Sequence, residues 1–351
     1  MISVIAFIRN SEVTGISAIN YYRAVAPLSY LNQEPDFDIK ILGQSEIRSL
    51  MERGLDHQLL GSDLYLTSRL FAGSAGRPEF IGAIHESGGK VIFDTDDDLT
   101  DEYRDLGRGE DFKGIIGDVD YVTVSTPYLA DRMSAYANNP PVALYNHVDA
   151  GWFSEVSLQA PRLVDGLTIG MIGTASHYDD WHFPLEALHR IADEYPGVTI
   201  VSAGYTPDYL RGLSNLVELS PVPYVKYPNM MRQFDIVCCS LDPSDKFNLS
   251  KSGIKALEAM SAARMFSNKK VGGAVPVCTN TPVYRRVVNN RNSGLLVDND
   301  QWYEALLSLV ENRAFRERLA VTGHRWVGKH RDIATGYKAW GQAYKRFKGG
   351  S

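Results

Sequence analysis

Asn248 to Val297 reads NLSKSGIKALEAMSAARMFSNKKVGGAVPVCTNTPVYRRVVNNRNSGLLV, and the interpretation of the whole chain starts from this stretch. Asn248, Ser250 and Ser252 are small polar residues of the kind that cap a helix by accepting hydrogen bonds from its loose backbone amides. Beyond them Ile254, Leu257, Ala259, Met260 and Ala262 keep apolar side chains on one face, with Lys251, Lys255 and Glu258 near the first turns. A helix amino terminus with unbonded amides, a partial positive charge and a lysine beside it suits an anion such as a diphosphate. After Gly272 and Gly273, AVPVCT reads as a short buried strand, and TPVYRRVVNNRNSGLLV as turn, short helix, turn and strand.

The chain has 351 residues, room for two ordinary domains, because single cores rarely grow past about 250 to 300 residues. Hydrophobic residues make up 44% and charged residues 22%, which excludes a disordered chain. No run approaches the roughly 18 to 20 apolar residues of a membrane span. The opening MISVIAFIRNSEV is too short, and lacks the basic start, for a signal peptide. A cytoplasmic protein, monomeric or weakly dimeric, is therefore expected. Three cysteines, two of them adjacent at Cys238 and Cys239, make neither a disulfide framework nor a zinc set and read as buried thiols. Charge is unevenly shared: residues 1–149 carry 23 acids against 12 Lys/Arg, net −11, and residues 150–351 carry 19 against 24, net +5. A positive second half suits an anionic ligand.

From the start, ISVIAFIRN is an apolar strand, followed by a loop with Thr14 and Gly15 and then a helix. This is the opening of a doubly wound α/β domain, whose ligands gather at the carboxyl ends of the strands. DFDIKILG and SDLYLTSRL read as further strands, and KVIFDTDDDLT as a strand running into Asp94, Asp96, Asp97 and Asp98. These carboxylates suit acceptor hydroxyls, a divalent cation or a capped, solvated loop. LTIGMIGTASHYDDW repeats the strand, glycine and small polar loop in the second half, which brings backbone amides to a ligand. The terminal segment is strongly helical, and its basic residues (Arg325, Lys329, Arg331, Lys338, Lys345, Arg346, Lys348) read as a solvated face.

KALEAMSA, AVPVCTNTPVYRRVV and NSGLLV together resemble the donor half of retaining glycosyltransferases of the GT-B fold, family 4, also called glycosyl transferases group 1. DYVTVSTPYLA and YNHVDAGWF resemble segments that close the first domain of such enzymes. Two departures stand out. The family carries two glutamates separated by seven residues; Glu258 matches the second, while Ser250 occupies the first position. About ten residues, Ala263 to Gly272, replace the usual one or two between helix and strand and suggest a loop over the cleft.

The resemblance implies an α/β, GT-B architecture: two Rossmann-like doubly wound domains facing each other across a cleft. The expected divisions are an acceptor-binding domain at 1–149, a nucleotide-sugar domain at 165–322 and a terminal helix at 323–351 packing back on the first domain. It implies sugar transfer from a nucleotide-diphosphate sugar (UDP- or GDP-sugar) to an acceptor hydroxyl, retaining, without a metal or obligatory cofactor. The donor would meet Gly173, Thr174, His177, Asp180, Lys226, Asn248, Ser250, Ser252 and Glu258, with Lys251, Glu258 and His147 as the catalytic candidates. The acceptor, a glycan or small molecule, would meet Gly15, Arg23, Asp94, Asp96 and Asp97. Other readings are an inverting enzyme or epimerase with His147 or Asp94 as base, a phage-type enzyme acting on hydroxymethylated pyrimidines of duplex DNA, and a glycan-binding module without catalysis, suggested by Ser250.

Overall fold

The computed structural model describes residues 1–8, 16–43, 46, 60–68, 77–100 and 109–350. The chain divides into two compact units. Unit one comprises Met1–His147, Ser250–Ser252 and Ile333–Ser351; unit two comprises Val148–Leu249 and Gly253–Asp332.

Unit one is built on a six-stranded parallel sheet, β1 (Ile2–Phe7), β2 (Phe37–Leu42), β3 (Leu64–Thr67), β4 (Lys90–Thr95), β5 (Tyr121–Val124) and β6 (Val142–Ala143). Their order across the sheet is β2-β1-β3-β4-β5-β6, so the winding reverses beside β1, where such sheets leave a crevice at their carboxyl edge. The period-two alternation of a strand distributes the apolar run of β1 to both faces. Ile2, Val4 and Ala6 pack with Leu28, Leu31, Trp340, Tyr344 and Phe347, whereas Ile5 and Phe7 pack with Phe93, Phe112 and Ile115 on the other side. The last helix, Ile333–Gly349, thus supplies one face of this core. Edge strand β2 alternates buried and exposed residues, because only one of its faces is covered.

Unit two holds the second parallel sheet, made of β7 (Leu167–Gly173), β8 (Val198–Gly204), β9 (Leu216–Leu219), β10 (Ile236–Cys239), β13 (Val275–Thr279) and β14 (Leu295–Val297), ordered β14-β13-β10-β7-β8-β9. Strands covered on both faces read as unbroken apolar runs. IVCC of β10 and VPVCT of β13 are buried throughout. Cys239 of β10 pairs in register with Cys278 of β13, and burial pushes the Cys278 and Cys238 thiols well above their usual range.

The ten residues between helix and β13 form a two-stranded hairpin, β11 (Arg264–Met265) and β12 (Val271–Gly272). The helix Ile254–Ser261 runs from the carboxyl edge of the sheet to its amino edge, where β13 begins. The hairpin therefore sits at the amino edge of the unit-two sheet: Arg264 bonds the carboxylate of Asp235, the residue that precedes β10. The terminal helical segment is two helices, Arg313–His330 in unit two and Ile333–Gly349 in unit one. Among the described residues no helix is long and apolar enough to cross a membrane.

Candidate functional site

In unit two the helix Ile254–Ser261 begins at Gly253, which stands at φ +69°. An L side chain there would be strained and would also press on Cγ2 of Val287 at 2.9 Å, so glycine is required twice over. No side chain caps the helix. The expectation that Asn248, Ser250 and Ser252 cap it fails, because the left-handed turn at Gly253 separates them from its first amides. Asn248 lies in a separate short helix, Lys246–Ser250, and donates from Nδ2 to Asp180 Oδ1 at 2.7 Å. An uncapped amino terminus keeps its partial positive charge and amide donors for a ligand.

Lys255, in the first turn, brings its ammonium to the carboxyl end of β7. A Cβ on Gly173 would lie 3.3 Å from Lys255 Nζ, 2.7 Å from His177 Cδ2 and 3.3 Å from the Trp181 ring. The bare backbone of Gly173 therefore lets an imidazole and a lysine close against it. His177 is oriented by a carboxylate: Nδ1 lies 2.8 Å from Asp180 Oδ2, and its ring is parallel to that of Trp181. Asp180 is only 3% exposed, and its second oxygen accepts from the Asp242 amide at 2.8 Å as well as from Asn248. One carboxylate thus ties the β7 loop, the β10 loop and the Asn248 helix together. Thr174 is exposed and shares a 2.9 Å hydrogen bond with Ser176.

One turn along the helix, Glu258 is 4% exposed and accepts a 3.1 Å hydrogen bond from the Tyr227 hydroxyl. Burial, then the adjacent Glu258 charge, push the Tyr227 phenol far above its ordinary value, so it donates at any ordinary pH. Tyr224 stacks on Tyr227 at 5.7 Å, and Lys226 between them is exposed. The structure therefore brings together Gly173, His177, Asp180 and Asn248 with Lys255, and Glu258 lies on the same helix face as Lys255, three residues on.

Unit one holds a second constellation. Arg23 sits in a π-helical turn, Tyr21–Val25, of the kind that recurs at functional sites. Arg23 and Asp94 are each 2% exposed and form a bidentate pair at 2.9 and 2.7 Å. Thr123 donates to the same carboxylate at 2.6 Å. Arg23 also donates to the Leu144 carbonyl and to Asn146 Oδ1, and Asn146 Nδ2 donates to Ser252 Oγ at 2.9 Å. Arg23 and Asp94 thus direct their polar groups at each other and at the segment before His147. Ser250 is buried, accepting from Thr126 Oγ1 at its carbonyl and from the Asp98 amide at Oγ. Lys251 lies between Ser250 and Ser252, three residues ahead of the helix. His147 is half-buried, its Nδ1 lies 2.8 Å from the Tyr145 carbonyl, and its ring packs against Gly336. Asp96 and Asp97 are half-buried in the turn after β4, where Thr95 Oγ1 donates to the Asp97 carbonyl. Gly15 lies outside the described residues. Among the described residues no group of three or more His, Cys, Asp or Glu is arranged to hold a metal ion.

Lys255 stands outside the donor set expected from sequence. Its signal was its place three residues before Glu258, which puts both on one helix face, whereas Lys251 drew attention by lying nearer the polar run.

No protein-family model matches the sequence, and no curated protein matches it. Solved structures do match over the full length. HepE from Anabaena, in complex with UDP and glucose, superposes with a TM-score of 0.67 at 12% identity, covering 98% of this chain and 100% of that one. Sucrose-phosphate synthase from Thermosynechococcus elongatus gives 0.65 at 11% identity, with 100% of both chains covered. TarM from S. aureus, in complex with fondaparinux, α-GlcNAc-glycerol and UDP, gives 0.58 at 13% identity over 80% of this chain and 55% of its own. At such identities the likeness carries the architecture, and the two Rossmann-like units with their six-stranded parallel sheets have the GT-B fold.

Proposed function

We infer that this chain is a glycosyltransferase that takes its sugar from a UDP-sugar bound in unit two. The observation that carries this reading is the uncapped helix at Ile254, with Lys255 against the bare backbone of Gly173 at the carboxyl end of β7. The helix amides and the Lys255 ammonium would stabilise the charge that builds on the diphosphate as the glycosidic bond breaks. Glu258, its carboxylate steadied by Tyr227, would accept the ribose hydroxyls. His177, held through Nδ1 by Asp180, would present its other ring edge beside the phosphates. HepE and TarM are each solved with UDP, which supports uracil as the base. An acceptor hydroxyl on a glycan or small molecule, and retention of configuration without a metal, remain part of the proposal through the family resemblance alone. Lys251, Ser250 and Ser252 lie in the segment before the helix, so Lys255 takes the phosphate role first given to Lys251.

Isothermal titration of UDP, paired with a UDP-glucose hydrolysis assay, tests this. We expect micromolar binding, with affinity at least tenfold weaker in Lys255→Ala. An unchanged affinity in that variant, or no binding by the folded wild type, overturns the reading. Tight glycan binding without any turnover would favour the non-catalytic module that Ser250 suggested.

A further inference from the structure

A cavity of about 300 Å³ opens at the amino edge of the unit-two sheet, lined by Arg162, Arg232, Arg264, Arg313 and Arg316 together with Asp235 and Glu317. It borders Gly166 and Leu167, at the start of β7. The donor residues gather beyond the other end of that strand, roughly 20 Å away for seven residues at about 3.3 Å each. The two places are distinct.

Five guanidinium groups face two carboxylates, so the lining carries an excess of three positive charges. Both acids are already engaged. Asp235 is bonded by Arg162 at 2.5 Å and by Arg264, and Glu317 by Arg313 at 2.7 Å. Arg232 and Arg264 each keep a buried Nε without a hydrogen-bond partner among the described residues, although Arg264 is only 5% exposed. Buried N–H donors of a cation ordinarily find an acceptor. Burial lowers the pKa values of Arg232 and Arg316, aided by Arg162 and Arg313 respectively and opposed by Asp235. Burial lowers that of Arg264 as well, against the pull of Asp235. Water would fill the volume, but water does not offset three charges.

The cavity wall includes Arg264, Met265, Phe266 and Ser267, from the ten-residue hairpin that departs from the family pattern. The departure noticed in the sequence is thus the piece of chain that completes an arginine-lined hole.

We propose that this cavity is a second anion site, taking a small molecule that bears one or two phosphate groups, separate from the donor site. The planar fork of Arg232 matches phosphate oxygens in pairs. Arg264, whose terminal nitrogens are held by Asp235 and the Phe234 carbonyl, adds its Nε donor, and the volume lies at the lower end of small-molecule pockets. The site does not depend on the donor reading. Inorganic pyrophosphate is the probe, titrated calorimetrically into the full chain as wild type, Arg232→Ala and Lys255→Ala. Arg232→Ala should weaken pyrophosphate binding at least tenfold while leaving UDP affinity within about twofold, and Lys255→Ala should retain the Arg232-dependent binding. Pyrophosphate binding that is absent, untouched by Arg232→Ala, or abolished by Lys255→Ala alone overturns the proposal. Should Arg232→Ala show no cooperative melting, Arg313→Ala at the exposed rim reads the same loss, and wild-type affinity there counts against the site.

Discussion

A methyl group on Gly173 would stand 2.7 Å from the His177 ring and 3.3 Å from the Lys255 ammonium. Neither neighbour is free to withdraw. His177 is tied to Asp180, which itself holds the β10 loop and the Asn248 helix, and the lysine stem leaves a helix packed into the core. Gly173→Ala should therefore lower UDP affinity about tenfold and stability by about 1 to 3 kcal/mol, the usual range for overpacking. Calorimetry and a urea melt would check it, and wild-type values in both would show that the loop yields. At this scale the sequence was a good guide where chemistry is local. Gly173 at the end of a strand was legible from local pattern, whereas the bonds that tie His177 and Asn248 to Asp180 come from the structure. Arg23 and Asp94 were recognised as noteworthy, but their pairing across 71 positions is set by the sheet, and only the structure reveals it.

Among elements, the Arg264–Gly272 hairpin shows where sequence reasoning stops. The insertion was plain from its length. Its location at the amino edge follows from the direction of the preceding helix and from the bond between Arg264 and Asp235, neither of which a pattern records. That bond predicts a pH dependence. Burial raises the Asp235 pKa, but the Arg264 charge and the hydrogen bond and charge of Arg162 more than offset it and bring it to about 2, from a usual 3.8. The folded pKa is the lower one, so the group stabilises fully above the unfolded value and ceases to do so as pH falls through about 2. On the order of 2 kcal/mol should disappear between about pH 4 and pH 2. Urea midpoints across that interval, compared with Asp235→Asn, would check it. A variant as acid-sensitive as the wild type would contradict the assignment.

The whole molecule is two parallel sheets on one chain that passes between the units at 147–148, 249–250, 252–253 and 332–333. The fold class was legible because each half repeats the strand, glycine and helix order. The excursion Ser250–Ser252 was not, since three polar residues before a helix look like its cap from sequence alone. The three cysteines carry a consequence of a different sort. Cys238, Cys239 and Cys278 lie in adjacent strands at the centre of unit two, each about 1% exposed or less. Their thiols are closed to reagents until those strands separate, so they act as a spectator clock for that separation. Dithionitrobenzoate should leave all three unmodified for hours in native buffer and then label them together, at a rate that climbs with urea. One cysteine reacting at once, ahead of the others, would mean that β10 or β13 peels away while the rest of its sheet holds.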